Sequence, residues 1–514
     1  MTQSHPPAGA PADLRLAQPA GRWLLTAVVI GSGITFLDAT VVNVALPTIG
    51  DELGASLGGL QWTVNGYTLT LAALILLGGA LGDRYGRRRI FIFGTVWFAV
   101  ASLLCALAPN VGILIAARTL QGIGGALLTP GSLALIQASF APEDRARAIG
   151  VWSGLAGIAS ALGPLLGGWL VEAASWRWVF AINVPLAVVV VAVAARHVPE
   201  SRDETATGRF DWTGAALGAL GLAGVTYALI AAPEKGVSAL LLAASSGVGV
   251  ASLAAFVFVQ RRSSHPMLTT GIFGSRQFTA ANLVTFVVYA ALGGVTFFLV
   301  LDLQIAAGYS PIAAGSALLP VTLIMLALSE RSGKLSERIG PRIPMTVGPA
   351  ICAGGLLLML RIGGPGDNVP YVREVLPGVV LFGFGLATTV APLTATVLGA
   401  VEDRHSGIAS GVNNAVARAA GLLAVAALPL AAGLSGNDYR NPGAFGDGFR
   451  VALLICAVLL AGGALLSWLT IRSPKEPAGP PEPPCHVHCA VAGPPLQSLV
   501  EDPAADDPEE PERP

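Results

Sequence analysis

Two charged side chains, Asp38 and Arg118, lie inside apolar stretches long enough to cross a membrane, and they are the residues best suited to chemistry. A charge at the centre of a membrane helix costs about 2.5–3.5 kcal/mol on insertion scales, so it normally faces a cavity or a partner. A carboxylate loses its proton more readily beside an arginine or water, and less readily when desolvated. Asp38 is therefore predicted to act as a proton switch, with a helix cap or a fixed ion pair as the alternatives. Arg118 is a charge that can alter the proton affinity of Asp38, or one that simply braces helices.

The composition is that of a protein with many membrane spans. Of 514 residues, 53% are hydrophobic and 12% are charged, whereas about a quarter of the residues of soluble domains are charged. The net charge of −1 and the short basic clusters between apolar runs exclude a nucleic-acid partner. The first twenty residues lack the pattern of a cleavable signal peptide, so we expect the first apolar run to be retained as a helix in the lipid bilayer.

Apolar runs of about 20 residues indicate transmembrane helices. They predict fourteen, near 23–48, 60–81, 90–108, 111–137, 146–172, 177–196, 211–233, 238–260, 278–303, 312–332, 343–362, 375–398, 408–432 and 449–471. With the amino terminus inside, the tails and inner loops hold 22 of the 30 lysines and arginines. Because basic residues concentrate on the cytoplasmic side, both termini are predicted to be cytoplasmic, in the cell membrane.

A repeat indicates how these helices are grouped. The stretch from Gly79 to Arg88 recurs as Gly333 to Arg342 at an offset of 254, and Gly122-x-Gly124 recurs at an offset of 261. Repeated landmarks in the same order indicate a duplicated half. The sequence thus predicts an all-α fold of two six-helix bundles plus two inserted helices. The predicted segments are an N-terminal segment 1–22, a first bundle 23–197, an insert 198–276, a second bundle 277–471 and a disordered tail 472–514.

The first copy of the repeat is a candidate conformational latch. Its glycines allow a tight turn, and Asp83 can face a helix N-terminus or an arginine, a contact able to form in one conformation and break in another. The alternative is a simple topology signal. The latch residues are Gly82, Asp83, Arg84, Gly86, Arg87 and Arg88.

Other residues inside the apolar runs carry weaker predictions. Gly163 and Gly167 lie one helical turn apart, which favours close packing, and Pro164 favours a bend. Asp302, near the outer end of the ninth helix, is interpreted as a water-facing residue, with a second titratable group or a cation contact as alternatives. Possible polar residues of a cavity are Gln121, Asn413, Asn414 and Arg418.

Neither enzymatic chemistry nor a bound group is indicated. The predicted helices contain no histidine, and no Gly-x-x-x-x-Gly-Lys-Ser/Thr loop for a nucleotide is present. In the tail, Cys485 to Cys489 has metal-capable side chains, but five consecutive residues cannot easily surround a tetrahedral ion. We therefore expect no enzyme activity, no metal and no cofactor, and energy from an ion gradient.

Several segments together resemble the major facilitator superfamily, and in particular its fourteen-helix drug/proton antiporters. The latch residues resemble the signature loop, and Leu37-Asp38-Ala39-Thr40 through Pro47 resembles the helix-1 motif. Arg118-x-x-Gln121-Gly122-x-Gly124 resembles the helix-4 motif. The helix-5 antiporter motif is matched by Gly163, Pro164, Gly167 and Gly168.

This resemblance implies a protein that exports amphipathic or hydrophobic drugs and antibiotics in exchange for protons, with Asp38 and Arg118 in the coupling role. It also implies a small-molecule substrate and, as we expect, a monomer. Asp302 departs from the family pattern, in which an apolar or neutral residue is expected. A secondary transporter of an endogenous metabolite, exporter or importer, is the alternative function.

Overall fold

A computed structural model describes residues 14–203, 210–263, 266–268, 270–363, 369–402 and 406–472. Fourteen helices within these residues are long and apolar enough to cross a membrane, which confirms the predicted number. They are α1 Pro19–Leu53, α2 Leu57–Tyr85, α3 Arg87–Ala106, α4 Val111–Ser139, α5 Pro142–Ala173, α6 Arg177–His197, α7 Trp212–Ala231, α8 Ala239–Arg262, α9 Arg276–Ile305, α10 Pro311–Ile339, α11 Arg342–Met359, α12 Tyr371–Gly399, α13 Gly407–Ala431 and α14 Pro442–Thr470. The predicted tail and its Cys485–Cys489 stretch lie outside the described residues.

Helices often extend beyond their apolar runs. For example, α1 begins at Pro19 rather than residue 23, and α14 begins at Pro442 rather than residue 449. An apolar run measures the hydrocarbon thickness, whereas the backbone can continue as a helix through the polar interface if its first N–H groups find acceptors. Seven of the described helices gain such an acceptor from a capping side chain. These caps are Ser56, Asn110, Asp211, Ser238, Ser275, Ser310 and Asn441.

The two bundles pack in the same way. In the first, α1 contacts α4, α5 and α6, while α4 contacts α2 and α3. In the second, α9 contacts α12, α13 and α14, and α12 contacts α10 and α11. Helix for helix, α9–α14 therefore repeat the packing of α1–α6, as the duplicated sequence predicts.

Glycines make the repeat visible at atomic distances. A Cβ on Gly124 of α4 would lie 2.7 Å from the backbone nitrogen of Phe98 on α3. In the second half, a Cβ on Gly385 would lie 2.6 Å from the backbone nitrogen of Cys352 on α11. Only glycine allows such close approach, so the recurring glycines fix the same helix–helix distance in each half.

The repeated loops share a backbone conformation as well. Gly86, between α2 and α3, has a φ of 110°, and its counterpart Gly340, between α10 and α11, has a φ of 81°. Residues with a Cβ rarely adopt these angles. The glycine of the signature is thus required by the turn in both halves.

The inserted helices lie beside one seam between the halves. The seam where α2 meets α13 is also contacted by α7, which packs on α8. Gln260 of α8 donates a side-chain hydrogen bond to Asp211 at the start of α7. On the other seam, α5 meets α10, so the insert makes the two seams different.

The halves are joined at one end of the bundle, which we call the outer end because the sequence predicts it to be extracellular. Here Leu57 N–H donates to the carbonyl of Gly436 at 2.7 Å, and the Tyr439 hydroxyl donates to the carbonyl of Ala55 at 2.9 Å. Gln61, 2% exposed, donates to the carbonyl of Val425 at 2.7 Å. We refer to these contacts as the outer closure.

Candidate polar site of the first half

The candidate site is centred on the ion pair of Asp38 and Arg118. The guanidinium of Arg118 on α4 lies 2.6 Å from Asp38 Oδ2 on α1, and the two side chains are 1% and 0% exposed. A buried charge is tolerated when an opposite charge and hydrogen bonds surround it. The sequence singled out both residues, and the structure brings them into direct contact.

Two side-chain amides and one hydroxyl complete the shell around the carboxylate. Gln121 donates to Asp38 Oδ1 at 2.8 Å, and Asn183 of α6 donates to the same oxygen at 3.1 Å. Ser102 of α3 accepts from Gln121 at 2.6 Å and from Asn183 at 3.1 Å. We call Asp38, Ser102, Arg118, Gln121 and Asn183 the polar network.

The guanidinium is held on its other sides as well. Its Nε donates to the backbone carbonyl of Thr63 at 3.0 Å, and its Nη1 also donates to Gln121 at 2.6 Å. The rings of Tyr67 and Phe180 lie 4.4 and 5.6 Å from its central carbon, within cation–π distance. The Tyr67 hydroxyl has no hydrogen-bond partner among the described residues. Arg118 is thus fixed by α2, α4 and α6 together with Asp38.

This arrangement can respond to a proton. A proton on Asp38 would remove the negative charge that balances Arg118, and it would add a donor where the carboxylate now only accepts. Gln121 and Asn183, whose amides donate to Oδ1, would then have to reorient or move. Since the network joins α1, α3, α4 and α6, a change of charge at one carboxyl group reaches four helices.

The glycines of the predicted antiporter motif connect this site to the second half. A Cβ on Gly167 of α5 would lie 2.5 Å from a methyl carbon of Val41, three residues after Asp38. One on Gly163 would meet the Thr40 hydroxyl. One on Gly168 would instead lie 2.5 Å from Ile312 of α10.

The motif therefore packs on α1 with one face and on the second half with the other. Pro164 belongs to the same contact, because a Cβ on Gly315 of α10 would meet its carbonyl oxygen.

The predicted latch residues lie at the inner end and contact their own half. Asp83 at the end of α2 forms an ion pair at 2.8 Å with Arg87 at the start of α3, across the turn at Gly86. Glu200, after α6, accepts from the backbone N–H of Arg88 at 3.1 Å. A Cβ on Gly86 would lie 2.7 Å from the Glu200 carboxylate.

The segment after α6 thus binds the signature loop along its length. Arg88 also donates to the carbonyl of Val198 at 3.0 Å, and Arg87 N–H donates to that of Ser201 at 2.8 Å. Arg84 lies over the ring of Phe210, 5.0 Å from its centre. Gly82 is buried in the last turn of α2.

In the second half, the predicted polar residues are half-buried on α13. Asn413 donates to Thr285 of α9 at 2.8 Å and to Asn282 at 3.3 Å. Arg418 donates to Asn414, one turn away, at 3.4 Å. These residues are thus separate from the polar network, whereas Gln121, predicted in the same group, is part of it.

Asp302 differs from its prediction. Its interpretation as a water-facing residue is wrong, because the residue is 2% exposed. The side chain lies beside Gly446 of α14 instead of at the surface of the bundle. Position along a helix indicates depth, but not which side chains turn toward a neighbouring helix.

Ser102 and Asn183 are the members of the network that the sequence analysis did not assign. Each is one polar residue in a largely apolar helix, and their partners are 19 and 145 residues distant. Asn183 does belong to the stretch Asn183-Val184-Pro185 that follows α6's first turn, but no spacing relates it to Asp38. Within the described residues, no cluster of three His, Cys, Asp or Glu side chains could hold a metal ion.

Comparisons with known proteins agree on the type of molecule. The model of the Major Facilitator Superfamily matches residues 28–425. The puromycin resistance protein pur8 of Streptomyces alboniger is 34% identical over 471 residues, covering 90% of this chain and 93% of that protein. The methylenomycin A resistance protein of Bacillus subtilis is 36% identical over 453 residues, covering 88% of this chain and 94% of that protein.

The fold is also that of a solved transporter. A crystal structure of the peptide transporter POT in complex with sulfate matches with a TM-score of 0.65 at 17% identity, covering 91% of this chain and 99% of that one. At this identity the likeness concerns the fold.

Proposed function

Because the chain belongs to the major facilitator superfamily, we propose that this membrane transporter exports hydrophobic or amphipathic drugs, antibiotics among them, in exchange for protons. The resistance named for two of its relatives supports drugs as the substrate class. The buried pair of Asp38 and Arg118 carries the proposal of proton coupling, because ionisable side chains inside membrane helices typically mark a substrate, ion or proton pathway.

In this proposal, Asp38 exchanges a proton between two conformations. Its carboxylate is ionised while it is paired with Arg118, and it accepts a proton when the outer closure opens and water reaches α1. One elementary charge moving through 100 mV releases about 2.3 kcal/mol. By the same conversion, that supports roughly a fiftyfold concentration ratio of substrate.

The packing supplies a route from the proton to the halves. Thr40 and Val41 follow Asp38 on α1 and press on Gly163 and Gly167 of α5. On its other face, α5 touches α10 through Gly168. Because packed helices change position in discrete steps rather than deforming smoothly, we propose that a shift of α1 at Asp38 is transmitted through α5 to the seam between the halves.

The latch at the inner end provides a second influence on the conformation of the halves. Asp83 and the arginines after it are held by one another and by residues 198–203 while the outer closure is formed. We propose that this latch exchanges partners when the halves close at the inner end, so that it biases the conformation without itself carrying the transported proton.

Transport by purified protein in liposomes tests the proposal. With a proton gradient imposed and no ATP present, puromycin should accumulate on the side from which protons leave, and its movement should release protons that a pH electrode records. Asp38→Asn keeps the size and polarity of the side chain but cannot titrate, so it should retain puromycin binding and lose uphill transport.

The matched control is Asp447→Asn, which removes an exposed carboxylate of α14 and should leave transport unchanged. Uphill transport by Asp38→Asn at the wild-type rate would refute the assignment of the proton to Asp38. Transport that persists without any ion gradient would refute secondary transport, and transport of cellular metabolites but no drug would favour the alternative substrate class.

A further inference from the structure

Asp302 is a buried acid that the proposed exchange at Asp38 does not use. It lies on α9 three residues before the helix ends at Ile305, and it is 2% exposed. Its Oδ1 has no hydrogen-bond partner among the described residues, and no ion pair is formed there. Asp38, equally buried, has an arginine and two amides around it.

The surroundings of Asp302 are apolar. Oδ1 points toward Gly446 of α14, whose added Cβ would lie 3.9 Å from it and 3.8 Å from Ala306. One turn deeper in the membrane, the rings of Phe298 and Phe445 are stacked with their centres 5.9 Å apart. Near Oδ1, no donor among the described residues replaces the water that a negative charge would lose, and a buried charge without partners tends to neutralise instead.

Charged groups on the neighbouring helices have partners of their own. Arg450 of α14 carries a positive charge that favours the ionised form of Asp302, but this arginine is paired with Asp447 at 3.4 Å. On α1, Asp38 pairs with Arg118, and Asp51 lies 3.9 Å from Arg440. On α13, Arg418 donates to Asn414, and on α12, Glu374 accepts from the N–H of Gly363. Glu52 of α1 pairs with Arg177.

A metal or other inorganic cation fits the site poorly. Such ions take several oxygen ligands at once, and among the described residues no cluster of three acidic, histidine or cysteine side chains is found. A proton needs only the carboxyl group itself. Of the two ways to neutralise Asp302, protonation is the one that its neighbours permit.

From this geometry we infer that Asp302 is a second proton-binding group, on the second half, and that it holds its proton while the outer closure is formed. The two buried acids then have opposite states in one conformation. Asp38 is charged and paired, whereas Asp302 is neutral and packed against α14. Such a difference in environment is what allows two carboxyl groups to bind protons at different steps.

The location of Asp302 indicates where its proton comes from. The carboxyl group is one turn from the outer end of α9, and α14 begins with Pro442, one turn before Gly446. The residues just before α14 include Tyr439, which belongs to the outer closure, and Arg440, which donates to the carbonyl of Gly50 on α1. Movement of this segment would admit water to Asp302 from the outer side.

Infrared spectroscopy of purified protein in lipid membranes tests the inference without substrate or gradient, so its result does not depend on proton exchange at Asp38. At neutral pH, the spectrum should contain a C=O stretching band of a protonated carboxyl group. The band should be lost in Asp302→Asn and retained in Glu330→Gln, an exposed acid of α10 that pairs with Lys334, and in Asp38→Asn. Asp302→Glu should shift the band rather than remove it.

The outcomes are distinct. If Asp302→Asn and wild type have the same band at neutral pH, Asp302 is ionised and the inference is wrong. A band that appears only after inorganic cations are removed would mean that a cation occupies the site, which also overturns it. Should Asp302→Asn not fold, the shifted band of Asp302→Glu decides between the same outcomes.

Stability against pH gives a second readout. If the folded protein holds a proton on Asp302 that the unfolded chain releases at neutral pH, folding binds a proton there, and stability must fall as the pH rises. The midpoint of thermal unfolding of wild type should therefore decrease relative to that of Asp302→Asn between about pH 4, where the unfolded acid ionises, and about pH 7. A constant difference between the two proteins across this range would contradict the inference.

Discussion

The two halves of this transporter share their helix packing and differ in what they bury at the centre. Using the offset of 254 for α2 and α3 and 261 for α4, the residues around Asp38 can be placed on the second half. Thr63, Tyr67, Ser102, Cys105, Arg118 and Gln121 correspond to Ala317, Val321, Leu356, Met359, Val379 and Phe382. All six counterparts are buried and apolar.

This difference separates the demands of the fold from those of function. The second half forms the same helix contacts with apolar residues at these six positions, so the packing does not require a buried ion pair there. Removing two charges from water is costly, and apolar residues of similar volume are often as stabilising or more so. We infer that the polar network is retained in the first half because its charge is used, which fits the proposed proton role.

The largest expected effect on stability comes from removing only one of the two charges of the buried ion pair. Arg118→Gln leaves the Asp38 carboxylate buried without its positive partner, which should lower the free energy of unfolding by about 3–5 kcal/mol. The double variant Asp38→Asn with Arg118→Gln is neutral like the second half, so it should recover most of that loss while uphill transport stays absent. Denaturant unfolding in detergent and transport in liposomes measure the two properties.

Equal instability of the single and double variants would contradict this explanation, because the loss would then not come from an unpaired charge. Recovery of stability together with uphill transport would show that the network is structural.

An intermediate loss of stability is expected from substituting the recurring glycines, and it should be similar in both halves because the glycines make the same close helix contact in each. Gly124→Ala and Gly385→Ala each place a Cβ within 2.7 Å of a backbone nitrogen on the next helix. Overpacking of this kind costs about 1–3 kcal/mol, and unfolding free energies should fall by similar amounts. Gly154→Ala on α5, where a Cβ would meet nothing within 4 Å, is the matched control and should not destabilise the protein.

If only one of the two buried glycines were sensitive, the halves would not depend on the same helix–helix distance. The comparison would then hold for sequence but not for packing.

The smallest effect on stability is expected at the latch. Asp83 and Arg87 are 40% and 21% exposed, and exposed ion pairs contribute about 0.2–1 kcal/mol. Asp83→Asn should thus hardly change unfolding, yet it should slow turnover while leaving the pH dependence of transport intact. Glu337→Gln, at the counterpart position, is the comparison, and we expect a weaker effect on turnover there.

Transport rates across pH, with equal protein in the liposomes, measure this prediction. A transport rate that no longer responded to pH in Asp83→Asn would move the latch into the proton pathway.

The sequence was sufficient for the number of helices and for their pairing into halves, because hydropathy and repeated glycines depend on local chemistry. It also singled out Asp38 and Arg118, which the structure places in contact, because charges are rare in apolar runs; their role in proton coupling stays a prediction. It could not identify Ser102 or Asn183, because their role arises from hydrogen bonds to residues far along the chain. Nor could it orient Asp302, since one acid near a helix end can turn toward water or toward α14.

The outer closure has a consequence for how this protein can diverge. Its acceptors at Ala55, Val425 and Gly436 are backbone carbonyls. A substitution changes the side chain of a residue but leaves its backbone carbonyl in place, so the acceptor of each contact does not depend on residue type. Homologues can therefore change the acceptor residues of this closure without losing its hydrogen bonds.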